Sequence, residues 1–276
     1  MRLVYLDTMN WVRLVEPTER WTTARLATLR ERLAAAETRG TFGLTIGASC
    51  FDELARLHRG NRVLFGLVIH NAKSLVRNRV LRSLSDLSTL EVLGRGRLVG
   101  REPFLGSQER RSLWALMRNQ REVGDGAGVV AERVAAFSAE EAARRDQAVR
   151  ELGDDRVHGL RRWWTDSASH IDEWTATHLA AAWSNHLPPD RSEWPPPSDL
   201  RALRGFFAYK LGRIMMNVGE GRRVDAGDYF DAEHFACAAY CDYLVTDDTS
   251  FRATATAIGR AAPALCSLED LEELLS

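Results

Sequence analysis

The sequence predicts an α/β protein, with a central parallel sheet built from the two ends of the chain and a mostly helical insertion between them. Three observations lead there. Short apolar runs of the kind that form strands buried on both faces occur as RLVYLD, FGLTI and YLVT. These runs alternate with helical patterns, and parallel strands need such crossover connections. From Ser85 to Ser198 the texture changes: strand-like runs vanish, charge is dense, and Trp114, Trp163, Trp164, Trp174, Trp183 and Trp194 all fall there.

The first strand is RLVYLD, ending at Asp7. A helix follows over Thr22–Glu37, with Leu26, Leu29 and Leu33 at helical spacing and a close near Gly40. FGLTI, Phe42–Ile46, is the second buried strand. GASCFDELARLHRG is a helix carrying Glu53, and Val63–Leu84 continues with helical spacing. In the last part a helix near Asp228–Tyr240 precedes the strand YLVT, a short helix follows Ser250, and a weak strand around Ala264–Cys266 precedes the terminal helix SLEDLEELLS. Residues 1–84 and 200–276 therefore form the core, and 85–199 the insertion. HLPPDRSEWPPPSD, His186–Asp199, is too rich in proline for helix or central strand and closes the insertion as an exposed linker.

Composition excludes several classes. At 276 residues and 45% hydrophobic content the chain is an ordinary globular protein. The opening MRLVYLDTMNW meets an acid at Asp7 and has no long apolar core, and no apolar run reaches membrane-spanning length, so a cytoplasmic protein without membrane association is expected. Cys50, Cys237, Cys241 and Cys266 form no CxxC pair and are expected as reduced, buried thiols. The formal charge of -1 hides local bias. Arg56, Arg59, Arg62, Lys73, Arg77, Arg79 and Arg82 follow one another with no acid between Leu54 and Ser85, and Arg201, Arg204, Lys210 and Arg213, with Arg222 and Arg223 beyond Glu220, form a second basic stretch.

The acids carry the chemistry. Asp7 ends the first strand, Asp247 and Asp248 end YLVT, and the carboxyl ends of parallel strands line the ligand crevice of such sheets. Glu53 lies near the start of the helix after FGLTI, and Asp228 and Asp231 share a helix face at a spacing of three. Like charges this close raise each other's pKa, and a hard divalent cation resolves the conflict while leaving positions for phosphate oxygens. Taken singly, each acid also suits a helix cap or a turn. Their joint placement is what points to a metal site.

Here the residues resemble a known family. YLDTMNWVRL is similar to the opening of PIN-domain nucleases. DAEHFACAAYCDYLVTDDTSF is similar to that family's other signature, through Asp231, His234, Ala236, Ala238, Thr246, Asp248 and Phe251. IGASCFDEL resembles the segment that supplies the family's helix Glu. The resemblance covers a little over half of the chain and implies a three-layer α/β/α PIN-like core. It implies Asp7, Glu53, Asp231 and Asp248 as catalytic and metal-binding residues for Mg²⁺ or Mn²⁺, with Asp228 and Asp247 as further ligands and Thr246 and Asn10 in support. The basic segment beside Glu53, with Arg56, Arg59, Arg62, Lys73 and Arg77, is expected from its charge to grip nucleic acid. The expected activity is phosphodiester hydrolysis by an endoribonuclease, RNA being favoured over DNA. The long insertion departs from the family pattern.

Other chemistries fit less well. His234, Cys237 and Cys241 lack a fourth zinc ligand nearby, HIDEWTATH lacks the HExxH spacing, and GRGRLVG, Gly94–Gly100, has no Walker lysine. Asp7-Thr8-Met9 is not the Asp-x-Asp of haloacid-dehalogenase phosphatases. The alternatives are a structure-specific DNA nuclease and a catalytically silent PIN-like scaffold. The insertion could serve as an oligomer interface, a substrate clamp or an inhibitor dock, and its tryptophans either stack on bases or fill a core. A toxin-like ribonuclease, an RNA-processing enzyme and a phage-defence effector would share these residues.

Overall fold

The computed structural model describes residues 1–94, 96–153, 167–220, 227–258 and 263–276, and the architecture is α/β. Arg2–Leu6 (β1) begins the sheet, followed by Thr8–Arg13 (α1) and Thr23–Thr38 (α2). Phe42–Gly47 (β2) leads into Ala48–Gly60 (α3) and Arg62–Val76 (α4), then Val80–Leu81 (β3) and Leu84–Leu93 (α5). Ser107–Arg118 (α6), Gln120–Leu152 (α7) and Ser167–Trp183 (α8) follow, then Arg201–Glu220 (α9) and Gly227–Ala238 (α10). Tyr243–Val245 (β4), Thr249–Ile258 (α11), Ala264–Cys266 (β5) and Leu268–Leu274 (α12) complete the described elements.

All strand pairs are parallel, in the order β3-β2-β1-β4-β5. From β1 the chain builds outward through β2 to β3, then crosses back to place β4 and β5 on the other side. The order reverses between β1 and β4, where open α/β sheets form their ligand crevice. Leu6 stands opposite Val245, and the amide of Asp7 donates to the carbonyl of Val245 at 3.1 Å. Asp7 and Thr246 therefore leave the sheet side by side. Val4, Tyr5, Leu6, Ile46, Leu244 and Val245 are fully buried, as strands covered on both faces require.

The third strand corrects the expectation of helix through Val63–Leu84. The α4 helix stops at Val76 because Arg77 takes φ 53° and ψ -99°, outside any helical region, and the chain then pairs Val80 with Ile46. An L side chain at that φ is strained, typically by about 1–3 kcal/mol. Arg77→Gly is accordingly expected to raise stability by about 1 kcal/mol, read as a higher urea midpoint. A lower midpoint would show that the Arg77–Glu37 contact at 3.8 Å outweighs the strain.

The segment 85–199 packs directly onto the rest. Trp114 and Met117 of α6 and Ile171 of α8 join the main core, and Trp114 meets Phe51 of α3 edge-on at 5.1 Å. Trp174, Trp183 and Trp194 pack around Leu179, Leu200 and Leu203. These tryptophans fill cores; Trp163 and Trp164 lie outside the described residues. The proline-rich stretch forms three short 3-10 turns and is mostly exposed, with Leu187 and Pro195 buried.

The second basic stretch is no open surface, because α9 is central and turns its charges inward. Arg204 pairs with Asp172 at 2.6 Å, Lys210 with Glu141 at 2.8 Å and Arg213 with Asp228 at 2.5 Å. Arg222 and Arg223 lie outside the described residues. Among the described residues, no helix is long and apolar enough to cross a membrane.

Candidate active site

Two of the acids owe their positions to helix capping. Asp7 precedes α1 and its Oδ1 accepts from the Asn10 amide at 2.8 Å. Asp248 precedes α11 and its Oδ1 accepts from the Phe251 amide at 2.8 Å. Capping occupies one oxygen of each carboxylate. Thr246 is fully buried between them: its hydroxyl bonds to the Asp7 carboxylate and accepts from the Asp248 amide at 3.2 Å. The Asn10 side chain donates to the carbonyl of Val245 at 3.2 Å, tying α1 to β4.

Glu53 and Asp231 are held by side chains instead. Glu53 Oε2 meets His234 Nε2 at 3.1 Å, and Nδ1 of the same ring lies 2.8 Å from the Tyr5 hydroxyl. The Thr8 hydroxyl stands 3.3 Å from His234 Nε2. Tyr5 reaches the ring because residue 47 is glycine: a Cβ there would come within 2.6 Å of the phenolic oxygen. Asp231 Oδ2 accepts from the Tyr209 hydroxyl of α9 at 3.0 Å.

The charges are mutually felt. Burial pushes Asp7 up to about 6, with Glu53 adding to the rise and Thr246, Asn10 and His234 opposing it. Burial pushes Asp231 up to about 8, opposed by His234 and Tyr209 and reinforced by Asp248 and Asp228. For Glu53, burial works upward but His234, Thr8 and Arg56 outweigh it, and its pKa falls below the ordinary value. Burial alone would drive His234 toward neutrality, yet Cys50 and Glu53 reverse this and push it well up. Glu53 and His234 thus form a buried-edge ion pair beside two acids that resist ionising.

This predicts a pH dependence. An acid whose folded pKa exceeds its unfolded value binds protons more tightly when folded, so it destabilises the protein once ionised. In chelator, stability should fall as pH rises from about 4 to about 8 through the Asp7 and Asp231 transitions. Asp231→Asn, which keeps an acceptor for Tyr209, should recover on the order of 2 kcal/mol at pH 8 and little at pH 5. Equal effects at both pH values by urea denaturation would show that Asp231 is not the strained acid.

The remaining predicted residues divide. Asp228 is buried against Arg213 below the site. Asp247 turns away, accepting from Arg13 at 2.8 Å and from the Leu268 amide at 3.2 Å. Arg56 is exposed, influences Glu53 and lies 5.5 Å over the Phe230 ring. Arg59, Arg62 and Lys73 are exposed and make no hydrogen bond or ion pair with these acids. Arg77 contacts Glu37, just before β2, at the sheet end opposite Asp7. Sequence reasoning missed the roles of Tyr5, Tyr209 and Arg213, which sit among ordinary core and helix residues and carry no spacing signal.

The donor chemistry suits a hard cation, since Asp231 Oδ1 and Asp248 Oδ2 make no hydrogen bond among the described residues and all four acids offer oxygen. The acids do not close around one point: among the described residues, no three His, Cys, Asp or Glu side chains converge as a metal site. Mg²⁺ commonly takes only one or two carboxylates and keeps several waters, so an open arrangement remains compatible with it. Compared with protein-family models, curated proteins and solved structures, the chain matches none.

Proposed function

We propose that this chain is a metal-dependent nuclease with a PIN-like core, acting as an endoribonuclease. One observation carries the reading: Asp7 and Asp248 follow the neighbouring strands β1 and β4, where the strand order reverses, and the charges of Asp7 and Glu53, and of Asp231 and Asp248, are felt pairwise. Mg²⁺ or Mn²⁺, held by one or two of the carboxylates of Asp7, Asp231 and Asp248, would supply Lewis-acid polarisation of a phosphodiester and lower the pKa of water. Glu53, kept ionised by His234, is suited to orient the attacking water through a hydrogen bond. Thr246 and Asn10 fix Asp7, and Tyr209 fixes Asp231. Arg56, whose charge reaches Glu53, can neutralise a phosphate beside the cut.

The lack of three converging ligands among the described residues favours a second reading, a scaffold in which the acids bind one ion or none. Incubating wild-type and Asp248→Asn protein with labelled single-stranded RNA, tRNA and DNA, in Mn²⁺, Mg²⁺ or chelator, separates the two. Metal-dependent cleavage that the substitution abolishes supports the nuclease and ranks RNA against DNA. No cleavage of any substrate, together with no Mn²⁺ binding on titration, leaves the scaffold.

A further inference from the structure

A cleft of about 700 Å³ lies between the start of β1 and the residues that flank β3, and none of the four acids lines it. Its lining includes Leu3, Ser107 and four arginines, Arg79, Arg82, Arg101 and Arg110, and no Asp or Glu. Leu3 and Asp7 are four residues apart along an extended strand, about 13 Å, so the β1 wall of the cleft stands away from the acidic edge.

Three of the arginines are fixed by backbone carbonyls. Arg79 Nε donates to Leu44 at 3.1 Å, Arg82 Nε to Glu102 at 3.2 Å, and one terminal nitrogen of Arg110 to Leu105 at 3.1 Å and Asn78 at 3.4 Å. Residue 43 is glycine, and a Cβ there would come within 2.7 Å of the Arg79 guanidinium, so the seat of this arginine depends on it. Carboxylates meet two of the four, Glu37 at Arg79 and Glu109 at Arg82. Arg101 is exposed, and its side chain makes no hydrogen bond or ion pair among the described residues.

Positive charge thus exceeds negative, and anchored guanidinium groups retain N–H donors. Such planar forks match phosphate oxygens in pairs, and fixing them beforehand lowers the entropy lost on binding. The volume lies within the usual range for small-ligand sites, roughly 300–1,000 Å³. We infer that this arginine-lined cleft binds a phosphate ester of nucleotide size, either a free nucleotide or one nucleotide within an RNA chain. The inference goes beyond the nuclease reading and does not depend on it.

The test is anisotropy titration of the intact protein in chelator at low salt, with a mant-labelled nucleoside diphosphate and with a short fluorescein-labelled single-stranded RNA. At least one probe should bind and be displaced by inorganic phosphate. Arg101→Glu, a substitution at an exposed side chain, should weaken binding about tenfold or more. Arg110→Ala, with folding checked by its melting curve, should weaken it similarly, whereas Arg191→Ala, at an exposed arginine outside the cleft, should bind as wild type. Preference for the diphosphate identifies a small nucleotide, and preference for RNA identifies a contact along the strand. Absence of binding by both probes, affinity unchanged by Arg101→Glu, or binding lost in Arg191→Ala would overturn the assignment. Cleavage is not read, so the nuclease can fail while the cleft stands, and the reverse.

Discussion

Asp7→Asn is expected to remain folded and to lose Mn²⁺-dependent RNA cleavage by more than about 100-fold, beyond the 10–100-fold typical of residues that only orient a metal ligand. The fold should survive because the local role of Asp7 is capping. Its Oδ1 accepts from the Asn10 amide, and asparagine caps a helix about as well as aspartate. Removing a carboxylate that burial has pushed up to about 6 also relieves charge, so the melting temperature in chelator at pH 7.5 should hold or rise. What is lost is anionic oxygen beside Thr246, in a place where the Glu53 charge is felt. Undiminished cleavage would take the chemistry away from this edge, and a sharp fall in melting temperature would mean that the site was read through a folding defect.

The largest expected loss of stability comes from Arg213→Met. Arg213 reaches Asp228 at 2.5 Å and also donates to the Ser250 hydroxyl; both charged side chains are 10% exposed or less. Removing one partner of a buried pair costs about 3–5 kcal/mol, whereas replacing both partners by apolar groups often costs little. Arg213→Met should therefore lower the urea midpoint strongly, and Arg213→Met with Asp228→Leu should recover most of the loss. Because Ser250 lies in the first turn of the helix that Asp248 caps, the single variant should also weaken Mn²⁺ binding. A single variant as stable as wild type would mean that Asp228 is satisfied without this guanidinium.

Much of the fold was legible because parallel strands buried on both faces advertise themselves. RLVYL, FGLTI and YLV are apolar runs with no competing pattern, and the residues ending β1 and β4 could be read directly as edge acids. The edge strand β3 was not legible: two residues, Val80 and Leu81, carry no periodicity, and the break before them rests on one unusual backbone angle at Arg77. Charges misled where burial is decided by partners far along the chain. Lys210 and Arg213 look like a basic surface until Glu141 and Asp228 come into contact with them. Asp247 and Asp248 are adjacent and chemically identical in sequence, yet only tertiary contacts with Arg13 and Leu268 turn the first away. Tyr209 lies 22 residues before the acid it orients, a separation no local pattern encodes.

The pairing of β1 with β4 bears on when this protein becomes complete. Leu3 bonds to the side chain of Asp242, 239 residues later, and Asp7 bonds to Val245. During synthesis, at about 5–20 residues per second, β1 and β2 leave the ribosome long before their central neighbour exists. Closing so distant a contact is intrinsically slow, and until it closes Asp7 has neither Thr246 nor Asp248 beside it. A nascent chain therefore carries half an acidic edge. If that edge cuts RNA, the message being translated is spared until residue 248 has emerged and β4 has slotted in beside β1.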